Sequence, residues 1–438
     1  MPAKLPLLSS GTIDSPIAYW RDHMISRAAF LRDAVLIARQ LPAARFILNL
    51  CEDRYQFLAA FAAVGINYQT NLLPSSRATL HLRQLAEDYP GSQAIVDSDI
   101  ERWLASKIVD SAALPVPELP VDHLMAIAFT SGSTGRAKPN LKRWGELVSG
   151  ARQAQQRFGF NTGLTVVATV PPQHMYGLET SIMAPLLSGV CIHASRPFFP
   201  EDVRAALADA PPLRILVTTP IHLRACVEAQ LIWPEIAFLI SATAPLSLEL
   251  AAQAEQVFSA PVLEIYGCTE AGSIASRRVQ ESDYWLLYDG FRLNGDCLSG
   301  AHLPEPVPLG DIIEICDKDR FRLLGRREDL INLAGKRSSL AYLNHQINQI
   351  EGVIEGVFVL PDETATTTQR LAAVVVAPNL DERQLLAALA ERLDPVFLPR
   401  PLVRVKQLPR NETGKMTREA LLALITGASS FTKVHHDE

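Results

Sequence analysis

The chain lacks any run of about 18 apolar residues, the length a membrane-spanning helix requires. Its N-terminus, MPAKLPLLSSG, has neither the long apolar core nor the small-residue cleavage site of a secretory signal. The six cysteines, Cys51, Cys191, Cys226, Cys268, Cys297 and Cys316, lie far apart with no CxxC pair. That spacing fits neither a disulfide framework nor a cysteine-rich zinc site, leaving most of the thiols as small buried hydrophobes. There is no excess of basic charge: 41 Lys and Arg stand against 47 Asp and Glu, a net charge of −6, which argues against general nucleic-acid binding. Internal repeats and low-complexity tracts are also absent. What is present is 438 residues, 48% of them apolar, ample for a large core. These features predict a cytoplasmic globular protein of enzyme size.

From about residue 26 to 270, short apolar segments alternate with helical ones. Strands are predicted at 45–50, 93–97, 124–130, 164–170, 190–194, 214–219, 237–241 and 261–266, and helices at 26–40 and 54–65. Continuously apolar strands separated by helices indicate an α/β unit with buried, largely parallel sheets. The Pro-rich segment 111–120 reads as a connector. After residue 280 the pattern turns β-rich, with short antiparallel strands and tight turns such as Asp289-Gly290. From about 326 a smaller α+β unit is predicted, with helices at 339–349, 380–392 and 417–425, strands at 353–360, 370–377 and 402–407, and a frayed tail from 429. Charge supports a boundary there: residues 326–438 hold 14 basic and 14 acidic residues, so 1–325 carry the whole net charge. The predicted domains are therefore 1–325 and 326–438.

Several segments carry chemistry. Thr130-Ser131-Gly132-Ser133-Thr134-Gly135-Arg136-Ala137-Lys138 follows an apolar strand. Its glycines free the backbone to curl, and its hydroxyls and lysine supply donors suited to a polyphosphate, although a plain hydroxyl-rich turn reads the same way. It is not a Walker A loop, because GxxxxGK[ST] is missing; that argues against a P-loop kinase. His174 sits in Pro171-Pro172-Gln173-His174-Met175-Tyr176-Gly177, and a lone histidine is more often structural than functional. Small residues end the strand at Ser241-Ala242-Thr243-Ala244-Pro245, where a flat ligand or a simple strand-to-helix turn would each fit. Glu264-Ile265-Tyr266-Gly267-Cys268-Thr269-Glu270 joins an aromatic plate, a flexible glycine, a hydroxyl and a carboxylate at another strand end, where open α/β sheets bind ligands. Gly310-Asp311, Gly325-Arg326-Arg327-Glu328-Asp329 and Pro409-Arg410-Asn411-Glu412-Thr413-Gly414-Lys415 complete the set.

Singly these segments are weak signals. In this order, over residues 20–425, the sequence resembles the adenylate-forming superfamily of acyl- and aryl-CoA ligases, peptide-synthetase adenylation domains and luciferases. The resemblance implies a large N-terminal domain of layered sheets and helices and a small mobile C-terminal domain. It implies ATP and Mg2+ as cofactors and a small carboxylic acid as substrate. Residues 130–138 match the loop that holds the β- and γ-phosphates, contributing Thr130, Ser131, Gly132, Ser133, Thr134, Gly135 and Lys138. Tyr266 matches the residue stacked on adenine, with Gly267 beside it, and Thr243 and Ala244 match the adenine-side strand. Thr269 matches the α-phosphate contact and Glu270 the Mg2+ ligand. Asp311 matches the acceptor of both ribose hydroxyls, with Arg326 beside it. His174 matches the gate between the ATP and acid pockets, the latter implied to include Tyr176, Glu179, Ser241 and Thr243. Glu328 matches the hinge and Lys415 the lysine needed for adenylation.

The sequence departs from that pattern in places. Ala137 replaces the usual Pro, Pro139 the usual Gly, and SSLAYLNHQI (338–347) stands where "EIE" is common. The chain is compact, with 40 residues between Glu270 and Asp311. In this it resembles carrier-protein-loading ligases of bacterial aryl polyene and polyketide pathways. The resemblance therefore implies an aryl acid, such as a hydroxybenzoate or cinnamate, transferred to the pantetheine thiol of an acyl carrier protein. Free CoA, a non-thiol acceptor, and a non-catalytic nucleotide-binding relative are the alternatives.

Overall fold

The computed structural model describes residues 3–9, 11–106, 114–131, 137–300, 302–326, 330–333, 336–361, 370–410 and 416–432. The chain divides into two units, one of residues 1–307 with 315–321 and one of 308–314 with 322–438.

In the first unit the apolar runs become two sheets. The smaller runs, in spatial order, Gln93–Ile95, Phe46–Asn49, Thr70–Leu73, Leu124–Ser131 and Ala137–Arg143. Its pairs are parallel except the last, an antiparallel hairpin that sets Thr130 opposite Lys138 and Ser131 opposite Ala137. The larger sheet contains Gly272–Arg277, Val262–Cys268, Phe238–Ser241, Arg214–Thr218, Thr165–Ala168, Cys191–His193 and Pro16–Trp20 in that spatial order. Its five pairings from Val262–Cys268 to Pro16–Trp20 are all parallel. The central strands are buried on both faces, as their unbroken Val, Ile and Leu content requires.

Side-chain caps start the intervening helices: the Ser26 hydroxyl accepts from Ala29 N–H at 3.2 Å, and Asp53 accepts from Gln56 N–H at 2.9 Å. The helix Arg54–Ile66 is buried along all but its last residue. Arg54, wholly interior, donates to the carbonyls of Ala168 (2.8 Å) and Val170 (2.9 Å) and to Ser181 Oγ (2.6 Å). Burial lowers its guanidinium to about 9. Arg27 is held likewise, on the carbonyls of Ser9, Pro185 and Leu186.

The second unit has a three-stranded sheet of Glu355–Val359, Ala372–Val376 and Leu402–Arg404. Alternate residues face opposite layers. Phe358, Ala373 and Val375 pack with Leu343 and Ile347 of the helix Leu340–Asn348 and with Leu385 and Leu389 of the helix Glu382–Ala390. Val357, Val359, Ala372, Val374 and Val376 pack with Leu421 and Ile425 of the helix Arg418–Thr432. The architecture is thus α/β with a β-rich part and a small α+β unit. Among the described residues no helix is long and apolar enough to cross a membrane.

Three local expectations change. The Asp289-Gly290 turn does not close a hairpin. Trp285–Leu287 before it is already paired on both edges, with Gly272–Arg277 and with Arg320 and Phe321, so Phe291–Asn294 pairs instead with Cys297–Gly300. The connector at 111–120 ends in a strand, Glu118–Pro120, antiparallel to Lys4–Pro6. The last helix runs to Thr432, seven residues beyond its predicted end, so residues 429–432 are helical rather than frayed.

Candidate active site

The parallel strands of the larger sheet all end on one edge, and three of the singled-out segments leave that edge. Thr165–Ala168 leads into His174, Phe238–Ser241 into Thr243 and Ala244, and Val262–Cys268 into Thr269 and Glu270. Hydrogen bonds draw them together. His174 precedes a short helix, Met175–Leu178, in which the Tyr176 hydroxyl donates to the Ile240 carbonyl at 2.9 Å. That bond ties the histidine segment to the neighbouring strand end. The next turn, Glu179–Met183, is a π-helix, a form that recurs at functional sites. From it Glu179 reaches the third segment, accepting from Ser273 N–H (3.0 Å) and Ser273 Oγ (2.6 Å).

Thr243 has φ +81°, a costly conformation for a β-branched residue and one that gathers at binding sites. Its buried hydroxyl oxygen and that of Ser241 have no hydrogen-bond partner among the described residues, leaving polar capacity for a ligand at this strand end. Tyr266 is partly buried, its ring 5.5 Å from Trp285 and 5.7 Å from Phe321. Arg277 lies over Trp285 at 4.4 Å and donates to the buried Glu264 carboxylate at 2.8 Å; that carboxylate also accepts from Leu246 N–H at 2.8 Å. Glu264 thereby fixes the 243–246 turn relative to the strand bearing Tyr266. Burial pushes its carboxyl above the usual range, against the pull of Arg277.

Thr269-Glu270-Ala271 forms the tip of a hairpin between Val262–Cys268 and Gly272–Arg277, with a bulge at Tyr266/Gly267. A Cβ on Gly267 would stand 2.3 Å from the Gly272 carbonyl oxygen, so only glycine permits this crossing. At the tip, Glu270 Oε1 meets Lys138 Nζ at 3.3 Å, both partly exposed. Lys142, four residues along the same strand and 4% exposed, donates to the Glu270 carbonyl at 2.8 Å. Burial depresses its ammonium, offset by the carboxylates of Glu179, Glu146 and Glu270. Among the described residues, no group of three or more His, Cys, Asp or Glu could hold a metal alone. A single half-exposed carboxylate nevertheless suits Mg2+, which is commonly held by one or two carboxylates together with substrate phosphates.

The first unit therefore brings together Thr130, Lys138, His174, Tyr176, Ser241, Thr243, Ala244, Tyr266, Gly267, Thr269 and Glu270. Asp311 is partly buried at the start of the strand Asp311–Ile315, and Arg326 ends the strand Arg320–Arg326, both in the second unit. Gly132, Ser133, Thr134, Gly135, Glu328 and Lys415 lie outside the described residues. Sequence reasoning did not single out Lys142, Ser273 or His302. No spacing marks them, because Lys142 and His302 reach the turn, and Ser273 reaches Glu179, across long stretches of chain.

An aromatic ring, the hydroxyls of Ser241 and Thr243, unpartnered among the described residues, and a carboxylate-bearing tip beside Lys138 suit the adenylate-forming superfamily that the sequence resembles. The chain belongs to that family: the model described as "AMP-binding enzyme" matches residues 36–303, more than half the chain, and "AMP-binding enzyme C-terminal domain" matches 347–415. It is an ATP-dependent adenylate-forming ligase. Among its relatives, a 4-coumarate–CoA ligase of Halorhodospira halophila is 27% identical over 67% of this chain and 75% of its own. A 3,4-dihydroxybenzoate–[aryl-carrier protein] ligase of Bacillus anthracis is 22% identical over 67% of this chain and 73% of its own. The fold is that of o-succinylbenzoate CoA synthetase from Bacillus subtilis in complex with its acyl-adenylate intermediate, with TM-score 0.81 and 16% identity over 96% of this chain and 98% of that one.

Proposed function

We propose that this ligase activates an aryl carboxylic acid and passes it to the pantetheine thiol of an acyl carrier protein. The observation that carries the adenylation site is the Glu270 tip drawn against Lys138 of the phosphate hairpin. In this reading, residues 130–138 hold the β- and γ-phosphates, Thr269 holds the α-phosphate, and Tyr266, Thr243 and Ala244 hold the adenine. Asp311 takes the ribose hydroxyls beside Arg326, and Glu270 takes Mg2+. Bound there, the cation supplies charge neutralisation for the pyrophosphate leaving group. The acid enters past His174 toward Tyr176, Ser241 and Glu179. Its carboxylate attacks the α-phosphorus, breaking the bond to pyrophosphate. Lys415 serves this step by balancing charge on both reactants, a matter of positioning and electrostatics rather than covalent chemistry. Glu328 is the hinge. The thiol then displaces AMP.

The aryl assignment is supported by the names of the two relatives above. The carrier assignment is supported by the exposed Arg400, Arg404 and Lys406 of the second unit, which suit an acidic partner. The test is an acid-dependent pyrophosphate-release screen, followed by thioester formation with carrier protein or free CoA. Release with hydroxybenzoates or hydroxycinnamates and thioester only on the carrier is expected. Efficient turnover with CoA, unaffected by carrier, would make it an aryl-CoA ligase; release only with aliphatic acids would overturn the aryl assignment.

A further inference from the structure

Successive backbone groups of the 270–273 turn are held by titratable side chains from three separate parts of the first unit. Lys142, on the strand Ala137–Arg143, donates to the Glu270 carbonyl at 2.8 Å. His302 Nε2 lies 3.2 Å from the Ala271 carbonyl. Glu179 takes both Ser273 donors, at 3.0 and 2.6 Å. The turn fits this clamp closely: Gly272 has φ +78°, and a Cβ there would stand 2.4 Å from Glu179 Oε1. A buried ammonium is an expensive way to satisfy one carbonyl, which any neutral donor could do. Lys142 and Glu179 are near enough to influence each other's charge, yet they share no ion pair within 4.0 Å among the described residues. Their direct bonds go to the turn.

We propose that Lys142 is a positioning residue for the adenylation step. It fixes the backbone of Glu270, and hence the carboxylate two bonds beyond the Cα–Cβ link, in the orientation that receives Mg2+ with the ATP phosphates. Glu179 fixes the other end of the same turn. This rests on the reading of Glu270 as the magnesium ligand. Glu179 also follows His174 on one continuous helical segment, so the clamp joins the acid side of the site to the metal side through side chains of defined length. Lys138, which meets the carboxylate itself, is exposed and free to follow the phosphates; Lys142 is buried and holds the part that must stay still.

The test compares Lys142→Met with the double variant Lys142→Met/Glu179→Gln. The readouts are the Mg2+ concentration for half-maximal binding of a fluorescent ATP analogue without acid, and the thermal midpoint. The single variant should raise the Mg2+ requirement at least tenfold and lower the midpoint, because Glu179 loses its nearby cation. The double variant, with neither buried charge, should regain the midpoint while keeping the Mg2+ defect. Recovery of both together would show that Lys142 only balances charge, and an unchanged Mg2+ requirement in the single variant would likewise overturn the proposal. A wild type whose analogue binding ignores Mg2+ overturns instead the assignment of Glu270, and the proposal with it.

Discussion

Among the described residues, every buried polar or charged side chain lies between Arg27 and Ser276, in the first unit; the interior of the second is apolar. The difference follows from what each must do. A polar interior is costly unless each group is bonded, but bonded groups are directional and hold backbone in one orientation. The first unit needs that where Arg54 pins the strand end before His174, and where Glu264 and Lys142 pin the segments of Thr243 and Glu270. Aliphatic packing is non-directional and suffices for a unit that displays its cations outward, as at Arg400, Arg404 and Lys406.

The largest effect is expected at Lys415, the residue proposed above to serve adenylation. Lys415→Ala is expected to cut acid-dependent pyrophosphate release by at least about a hundredfold, while thioester formation from a supplied acyl-adenylate is retained. Equal loss in both half-reactions would mean that Lys415 is needed for general integrity, and the division of labour would fail.

Next comes stability. Arg54→Met leaves the Ala168 and Val170 carbonyls without their donor and should cost about 2–4 kcal/mol, seen as a fall in thermal midpoint. Leu385→Met, in the apolar core of the second unit, should cost less than about 1.5 kcal/mol. If the two substitutions prove equally mild, the polar interior of the first unit does not hold it in the manner described.

The smallest effect sharpens the outward face. Reversing Arg400 and Arg404 to Glu should raise the apparent KM for carrier protein several-fold and leave pyrophosphate release unchanged. Loss of that difference at high salt in the wild type would mark it as electrostatic steering. A KM unmoved by charge reversal would remove these arginines from carrier recognition.

Much of this was legible beforehand. Apolar runs such as RILVTT and AFLIS became the parallel strands Arg214–Thr218 and Phe238–Ser241, since a strand buried on both faces can carry little else. The segments around His174, Thr243 and Tyr266 showed through their residue types and order. The 270–273 clamp was not legible. Lys142 meets Glu270 across 128 residues and Glu179 meets Ser273 across 94, and no local periodicity encodes such a meeting. The Asp289-Gly290 turn misled because turn chemistry specifies a change of direction, not which strand has a free edge.

By itself the sequence determined the strand and helix types, the flexible glycine at 267 and the family's ordered motifs. These depend on backbone preferences and on side chains within a few residues of one another. The tertiary structure alone decided which strand ends share an edge, that Tyr176 reaches the Ile240 carbonyl, and that a buried lysine lies beneath the glutamate at the tip. Those contacts depend on parallel strand order and on how the two sheets of the first unit pack, and long-range packing is set by the sum of all the apolar faces rather than by any one segment.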